Sequence, residues 1–217
     1  MEVLDTMNTK VSKIVVDPQI RTTFRRSEII NYLVACRVLS CRQINQLVFE
    51  DTNYGKWKCR VELKALNDAK MIERGRCMST NDYVYWVGRQ PKQVDHIIGV
   101  NGIWLSINQY SNCIFEREYD FGVGISDAFC IIENRPYFIE YQRSINHTDI
   151  RNKVPKYEQY ALSRKWDNKD WPMPGKFARV VIVVESEKDR ARTERAVKDS
   201  SVKFIVCLIN EVKEVIS

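Results

Sequence analysis

Two apolar segments around one short polar turn restrict the fold of this chain more than anything else in it. Ser126-Asp127-Ala128-Phe129-Cys130-Ile131-Ile132 runs into Glu133-Asn134-Arg135-Pro136 and returns as Tyr137-Phe138-Ile139-Glu140-Tyr141-Gln142. Both arms are rich in β-branched and aromatic residues, so the stretch reads as an antiparallel hairpin with a four-residue turn. Pairing Ile132 with Tyr137 sets Phe129 against Glu140 and Asp127 against Gln142. Side chains alternate between faces along a strand, so Asp127, Glu140 and Gln142 are expected to project together from one end of a greasy hairpin. A slip of one residue would scatter them, so the expectation hangs on the turn.

The segments after Gly88-Arg89-Gln90-Pro91, a break in the pattern, supply a setting for that hairpin. From Val94, the residues Ile97, Ile98, Val100, Ile103, Trp104 and Ile107 fit a helix with a wide buried face. Gly99 and Gly102 within it weaken the helix and suggest close packing against a strand. Ile114 to Glu118 is a strand, and the hairpin adds two more. Asn146 or Thr148 opens a helix through Ile150, Val154, Tyr157 and Leu162, with Pro155 a kink and Tyr157 and Tyr160 expected on the sheet. After a loop from Trp166 to Gly175, Phe177 to Val184 is almost wholly apolar, the signature of a strand covered on both faces. Ser186 caps a charged helix to Lys198, and Val202 to Leu208 is a last strand. The order is α-β-β-β-α-β-α-β.

The N-terminal part reads differently. Residues 1–20 are weakly patterned and taken as a flexible lead-in. Arg21, Arg25 and Arg26 precede Ser27, which is expected to cap a helix carrying Ile29, Ile30, Leu33 and Val34. Ser40 caps a second helix with Ile44, Leu47 and Val48 inward. A third, about Tyr54 to Ala69, turns Cys59, Leu63 and Leu66 inward and Trp57, Val61 and Lys64 outward, with Trp57 a candidate contact for the rest of the chain. Two short strands follow, Met71–Arg76 and Tyr83–Val87. Three helices and a hairpin are the order of a winged helix, a helix-turn-helix variant whose third helix enters the major groove. On that reading Arg25, Arg26, Arg42, Lys56, Trp57, Lys58, Arg60 and Lys64 form the duplex-contacting surface, and Arg74 and Arg76 lie on the wing.

Composition bounds the rest. The chain has 217 residues, a charge of +6, 44% hydrophobic and 29% charged residues, suited to a globular protein that tolerates nucleic acid. Its seven cysteines make no C-x-x-C pair, which argues against a structural zinc site and for a reducing, cytoplasmic setting. No signal-like segment or membrane-length run is present, so no membrane partner is expected.

The pattern Asp127…Glu140-x-Gln142 within this order of elements resembles the PD-(D/E)xK nuclease-like fold, with Ser126 where the Pro stands and Gln142 where the Lys stands. A winged helix over 21–90 followed by such an αβββαβ core over 91–217, an α/β (α+β) chain with a mixed central sheet, resembles the replication-relaxation family of bacterial plasmids, phages and integrative elements. The carriers are Leu39-Ser40-Cys41-Arg42-Gln43-Ile44, Leu63-x-x-Leu66, His96-Ile97-Ile98-Gly99-Val100-Asn101, Asp127, Glu140-Tyr141-Gln142 and Val180–Val184. The resemblance implies a protein that binds double-stranded DNA in replication or regulation of a mobile element. It admits a homodimer or a host- or element-encoded protein as further partner. His96 and Asn101 would stand near the acids. The alternative is a Mg²⁺-dependent endonuclease in which Asp127, Glu140 and a Tyr141 carbonyl hold the ion, Gln142 positions water, and Lys153 or Lys156 replaces the missing cation. A protein-interaction adaptor or inhibitor of a host enzyme is the third reading.

Overall fold

A computed structural model describes residues 18–108, 113–143 and 147–216. The expected lead-in over 1–20 lies outside them as far as residue 17, and residues 18–20 are already helical. Helix α1 (Pro18–Cys36) begins nine residues ahead of Ser27, at a proline whose preset φ suits a first helical turn. Ser27 is therefore not a cap; its hydroxyl donates back to the Thr23 carbonyl at 3.1 Å, as hydroxyls do inside helices. A two-residue strand β1 (Leu39–Ser40) leads into α2 (Cys41–Phe49), where Ser40 and Gln43 form a reciprocal capping box. Helix α3 (Gly55–Asp68) follows, then strands β2 (Glu73–Arg76) and β3 (Tyr83–Trp86). The three strands make an antiparallel sheet in the order β1-β3-β2. Ile29, Leu33, Leu39, Ile44, Phe49, Cys59, Leu63 and Leu66 fill the core beneath it.

The larger sheet holds five strands in the order β4 (Ile114–Asp120), β5 (Ile125–Ile132), β6 (Arg135–Gln142), β7 (Arg179–Val184) and β8 (Phe204–Leu208). The first three pair antiparallel and the last two join in parallel. Strand β7 is buried on both faces: Val180, Ile182 and Val184 enter one core, Val181 and Val183 the other. The first core lies under α5 (His147–Ser163), a short 3₁₀ turn (Lys165–Asn168) that starts one residue ahead of the expected loop, and α6 (Glu187–Val197). The second lies under α4 (Val94–Ile107) and a terminal α7 (Val212–Ile216) that the sequence pattern did not announce. The chain is thus a mixed α/β protein with seven α-helices and a five-stranded mixed sheet among the described residues. None of those helices is long and apolar enough to cross a membrane.

Helix α4 joins both parts. Ile97 packs with Val38, Val84 and Trp86, while Val100, Ile103 and Ile107 face the large sheet. Gln43 Nε2 donates to the Ile98 carbonyl at 2.8 Å. Of its two glycines only Gly99 marks close approach to a strand: a Cβ there would fall 1.9 Å from the Tyr141 ring of β6. At Gly102 the nearest atoms stand at 3.7 Å, from Gln43 and Ile209.

Candidate functional site

The hairpin register decides whether the acids meet. Ile132 pairs with Arg135, not Tyr137, and Cys130 takes Tyr137. The turn is only Glu133-Asn134, both at positive φ (48° and 64°), as a two-residue turn matching strand twist requires. Pro136 therefore stands inside β6, opposite Ile131. The whole register is displaced by two residues from the expected one. A displacement of two preserves the face of every side chain, and continuing the ladder past Ala128–Ile139 sets Asp127 directly against Glu140.

Lys153 of α5 closes that pair. Its ammonium lies against Glu140 Oε2 and 3.8 Å from Asp127 Oδ1. Tyr157, one turn further along α5, donates its hydroxyl to Glu140 Oε1, and spacing i, i+4 puts both on one helix face. Asp127 Oδ2 accepts the Tyr141 amide at 2.7 Å, and Oδ1 lies 3.1 Å from His96 Nε2 at the start of α4. Gln93, His96, Asp127, Glu140, Gln142, Arg143 and Lys153 line one cleft of about 290 Å³. Two helices on opposite sides of the sheet thus send cationic or donor groups to the same pair of carboxylates.

The carboxyls respond oppositely. Glu140 is wholly buried, and burial first, then the Asp127 charge, push it up to about 7 against the pull of Lys153 and Tyr157. Burial also pushes on Asp127, but the His96 hydrogen bond, the Lys153 charge and the Tyr141 amide together hold it below its ordinary value. One site thereby keeps one acid ionised and the other near neutrality, the behaviour of like charges sharing a cation.

The other expected residues are dispersed. Lys156 lies with its stem over Gly124. Asn101 is not beside the acids: fully buried, it donates to the Cys36 and Val38 carbonyls and accepts from Arg117 Nε, tying α1 to α4 and β4. A neighbouring pair that sequence reasoning missed, Tyr141 hydroxyl on Glu185, joins β6 to the end of β7. No local pattern marked it, because it depends on parallel strand pairing across 44 residues.

A second surface is formed by α3. Cys59, Leu63 and Leu66 are at most 1% exposed, while Trp57 is 65% and Val61 42% exposed, with Lys56, Arg60 and Lys64 on the same outward face. Trp57, expected as a candidate contact for the rest of the chain, stands largely exposed instead. Lys64 pairs with Asp68 at 2.5 Å, an exposed contact of small weight. Arg42 is exposed on α2 and Lys58 is half-buried. Arg74 and Arg76 flank the Tyr83 ring at 4.8 and 4.7 Å on the β2–β3 hairpin. Arg26 is engaged with Glu62 at 2.7 Å and Arg25 lies over Phe49, so both serve α1 packing.

No protein-family model and no curated protein matches this sequence. Among the described residues no group of three or more His, Cys, Asp or Glu side chains is arranged around a metal position. Two carboxylates are nevertheless the protein share that Mg²⁺ commonly takes, with waters and phosphate oxygens completing its shell. Asp127 Oδ1 and Glu140 Oε2 converge on one cation, Lys153. The Tyr141 N–H leaves β6 toward Asp127, and its carbonyl leaves the strand on that same side. Asp127, Glu140 and the Tyr141 carbonyl are the groups that would hold such an ion.

Proposed function

We propose that this chain is a duplex-DNA-binding protein whose residues 21–90 act as a winged helix and whose residues 91–217 form a nuclease-like core. The outward face of α3 carries the reading. Lys56, Trp57, Arg60, Val61 and Lys64 stand exposed on one side of a helix whose other side is sealed in the core. A large exposed aromatic flanked by cations calls for a partner that offers both phosphates and base edges. The β2–β3 hairpin adds two arginines stacked on Tyr83 beside it, suited to the sugar–phosphate backbone. A role in replication or regulation of a mobile element rests on the resemblance to the replication-relaxation family.

The test is fluorescence anisotropy on random and element-derived duplexes across a salt series. Binding is expected to weaken linearly in log salt, and Arg60→Ala or Lys64→Ala to flatten the slope by about one phosphate each. Affinity for no duplex at any ionic strength refutes the reading.

Lys153 favours a second reading, metal-dependent endonuclease. The β6 position after Tyr141 holds Gln142, which carries no charge, yet an ammonium from α5 reaches the acids all the same. A divalent ion bound there would contribute Lewis-acid charge to a phosphate and acidify water. Asp127 and Glu140 would hold it, Lys153 would offset negative charge, and Gln142 would orient water through its amide.

A further inference from the structure

A hollow lined from α1, α4, β4 and β5 is larger than the carboxylate cleft and continuous with it. It measures about 620 Å³, within the range of small-molecule sites, and shares Gln93, His96 and Asp127 with the cleft. Ile97 and Val100, both buried in α4, give it an apolar wall that Ala35 of α1 and Ile125 of β5 extend. Ile125 is 61% exposed, a large apolar side chain left uncovered at the opening. Three cations line the same hollow, Arg37, Lys92 and Arg117, against the two carboxylates of Glu118 and Asp127. Asp127 is already engaged by His96, Lys153 and the Tyr141 amide. Arg117 is held by Asn101 Oδ1, Cys36 Sγ and the rings of Trp104 and Phe115, none of them a carboxylate. Arg37 and Glu118 are strained: neither is glycine, yet their φ angles are 66° and 52°. The β4–β5 ladder runs through Arg117–Ala128 and Tyr119–Ser126 and skips Glu118 and Asp127 between them. The strain brings Glu118 to Arg37 at 2.6 Å in an exposed pair, a contact of small weight. Backbone strain that its own contacts do not offset is characteristic of ligand sites.

We propose that this hollow binds an unpaired nucleotide, its phosphate on Arg37 and Lys92 and its base against the apolar wall. A nucleoside phosphate joins an anion to a flat ring with apolar faces, and the hollow offers a counterpart to each. The phosphate draws Arg37 away from Glu118 and gains Lys92, which stands exposed at the opening. The base lies against Ile97, Val100 and Ile125, whose exposed surface it covers. Because Gln93, His96 and Asp127 border both spaces, a strand seated in the hollow carries its next phosphate towards the carboxylate pair. A free nucleotide and the unpaired end of a DNA strand present the same chemistry. The strand as source rests on the duplex reading proposed above; recognition of a nucleoside phosphate does not.

The full chain, in EDTA so that no metal takes part, is titrated calorimetrically with deoxyadenosine 5′-monophosphate, deoxyadenosine and inorganic phosphate. The nucleotide is expected to bind saturably and about tenfold tighter than either half, because two linked contacts act together. Lys92→Glu is expected to weaken it about tenfold by removing a charge-assisted contact. Ala35→Trp, which fills the hollow from α1, is expected to abolish it. Both positions are exposed, so the fold is expected to be kept, as a thermal melt checks. No saturable binding by wild type, or inorganic phosphate binding as tightly as the nucleotide, overturns the proposal, and wild type alone decides this. Unchanged nucleotide affinity in both variants puts the ligand elsewhere and overturns it too. For the source, a duplex with a short single-stranded tail is compared with the same duplex blunt. The tail is expected to raise affinity about tenfold in wild type and not in Ala35→Trp. A tail without effect in wild type overturns the strand source and leaves the free nucleotide as ligand. Failure to bind either duplex overturns the DNA reading, while the nucleotide titration still decides the hollow.

Discussion

Replacing Glu140 with Gln removes one charge from a buried site at almost constant shape, and its effect on stability is expected to depend on pH. Glu140 titrates at about 7 in the fold against an ordinary 4.5. Between those values the folded protein holds a proton that the unfolded chain has lost, so stability falls as pH rises through that window. Each tenfold change in proton affinity is worth about 1.4 kcal/mol, so full ionisation costs the fold about 3 kcal/mol. In a chain of this length 1 kcal/mol moves Tm by about 2–4 °C, which makes about 6–12 °C between pH 4.5 and pH 8. Glu140→Gln cannot ionise and loses that dependence. Its amide faces Tyr157 or Lys153 with one donor too many, a constant penalty of about 1 kcal/mol that shifts the curve without tilting it. Thermal unfolding followed by circular dichroism at pH 5, 6, 7 and 8 gives the comparison. The wild-type Tm minus that of Glu140→Gln is expected to fall steadily with pH and to level off above about 8. A difference that stays flat or rises would show that burial and the Asp127 charge do not outweigh Lys153 and Tyr157 at Glu140, and would refute the electrostatic account of the cleft.

Three further outcomes follow from the same geometry. Supercoiled plasmid with Mg²⁺ or Mn²⁺ is expected to be nicked by wild type and left intact by Asp127→Ala and Lys153→Met; intact plasmid with all three removes the endonuclease reading, and nicking by Asp127→Ala removes the site. Gly99→Ala is expected to lower stability by about 1–3 kcal/mol, since its methyl would meet the Tyr141 ring at 1.9 Å. Gly102→Ala, with 3.7 Å of room, is expected to gain up to about 1 kcal/mol of helix propensity; equal effects at the two positions in urea unfolding would refute the packing argument. Asn101→Leu removes the amide shared by the Cys36 and Val38 carbonyls and Arg117 Nε, for a loss of about 1–3 kcal/mol on the same assay.

The parts legible beforehand were those governed by short-range periodicity. The face shared by Asp127, Glu140 and Gln142 depends only on the parity of the register, so it survived a turn read two residues too long. The reason for that misreading is also local: Pro136 looked like a turn residue, whereas Glu133-Asn134 at positive φ make the turn. The doubly buried β7, the Ser40 cap and the inward face of α3 likewise follow from neighbours within one or two turns of chain. Ser27 misled because a capping residue type says nothing about how far upstream a helix begins.

What the sequence by itself determined is which side chains share a face of a strand or helix, because backbone geometry repeats every two or every 3.6 residues. Only the tertiary structure decided that Lys153 rather than Lys156 meets the acids, that Asn101 ties three elements together instead of standing by them, and that Tyr141 reaches Glu185. Those outcomes depend on where α4 and α5 cross opposite faces of the sheet. Such crossings are set by the summed packing of residues distant in the chain, which no local repeat records.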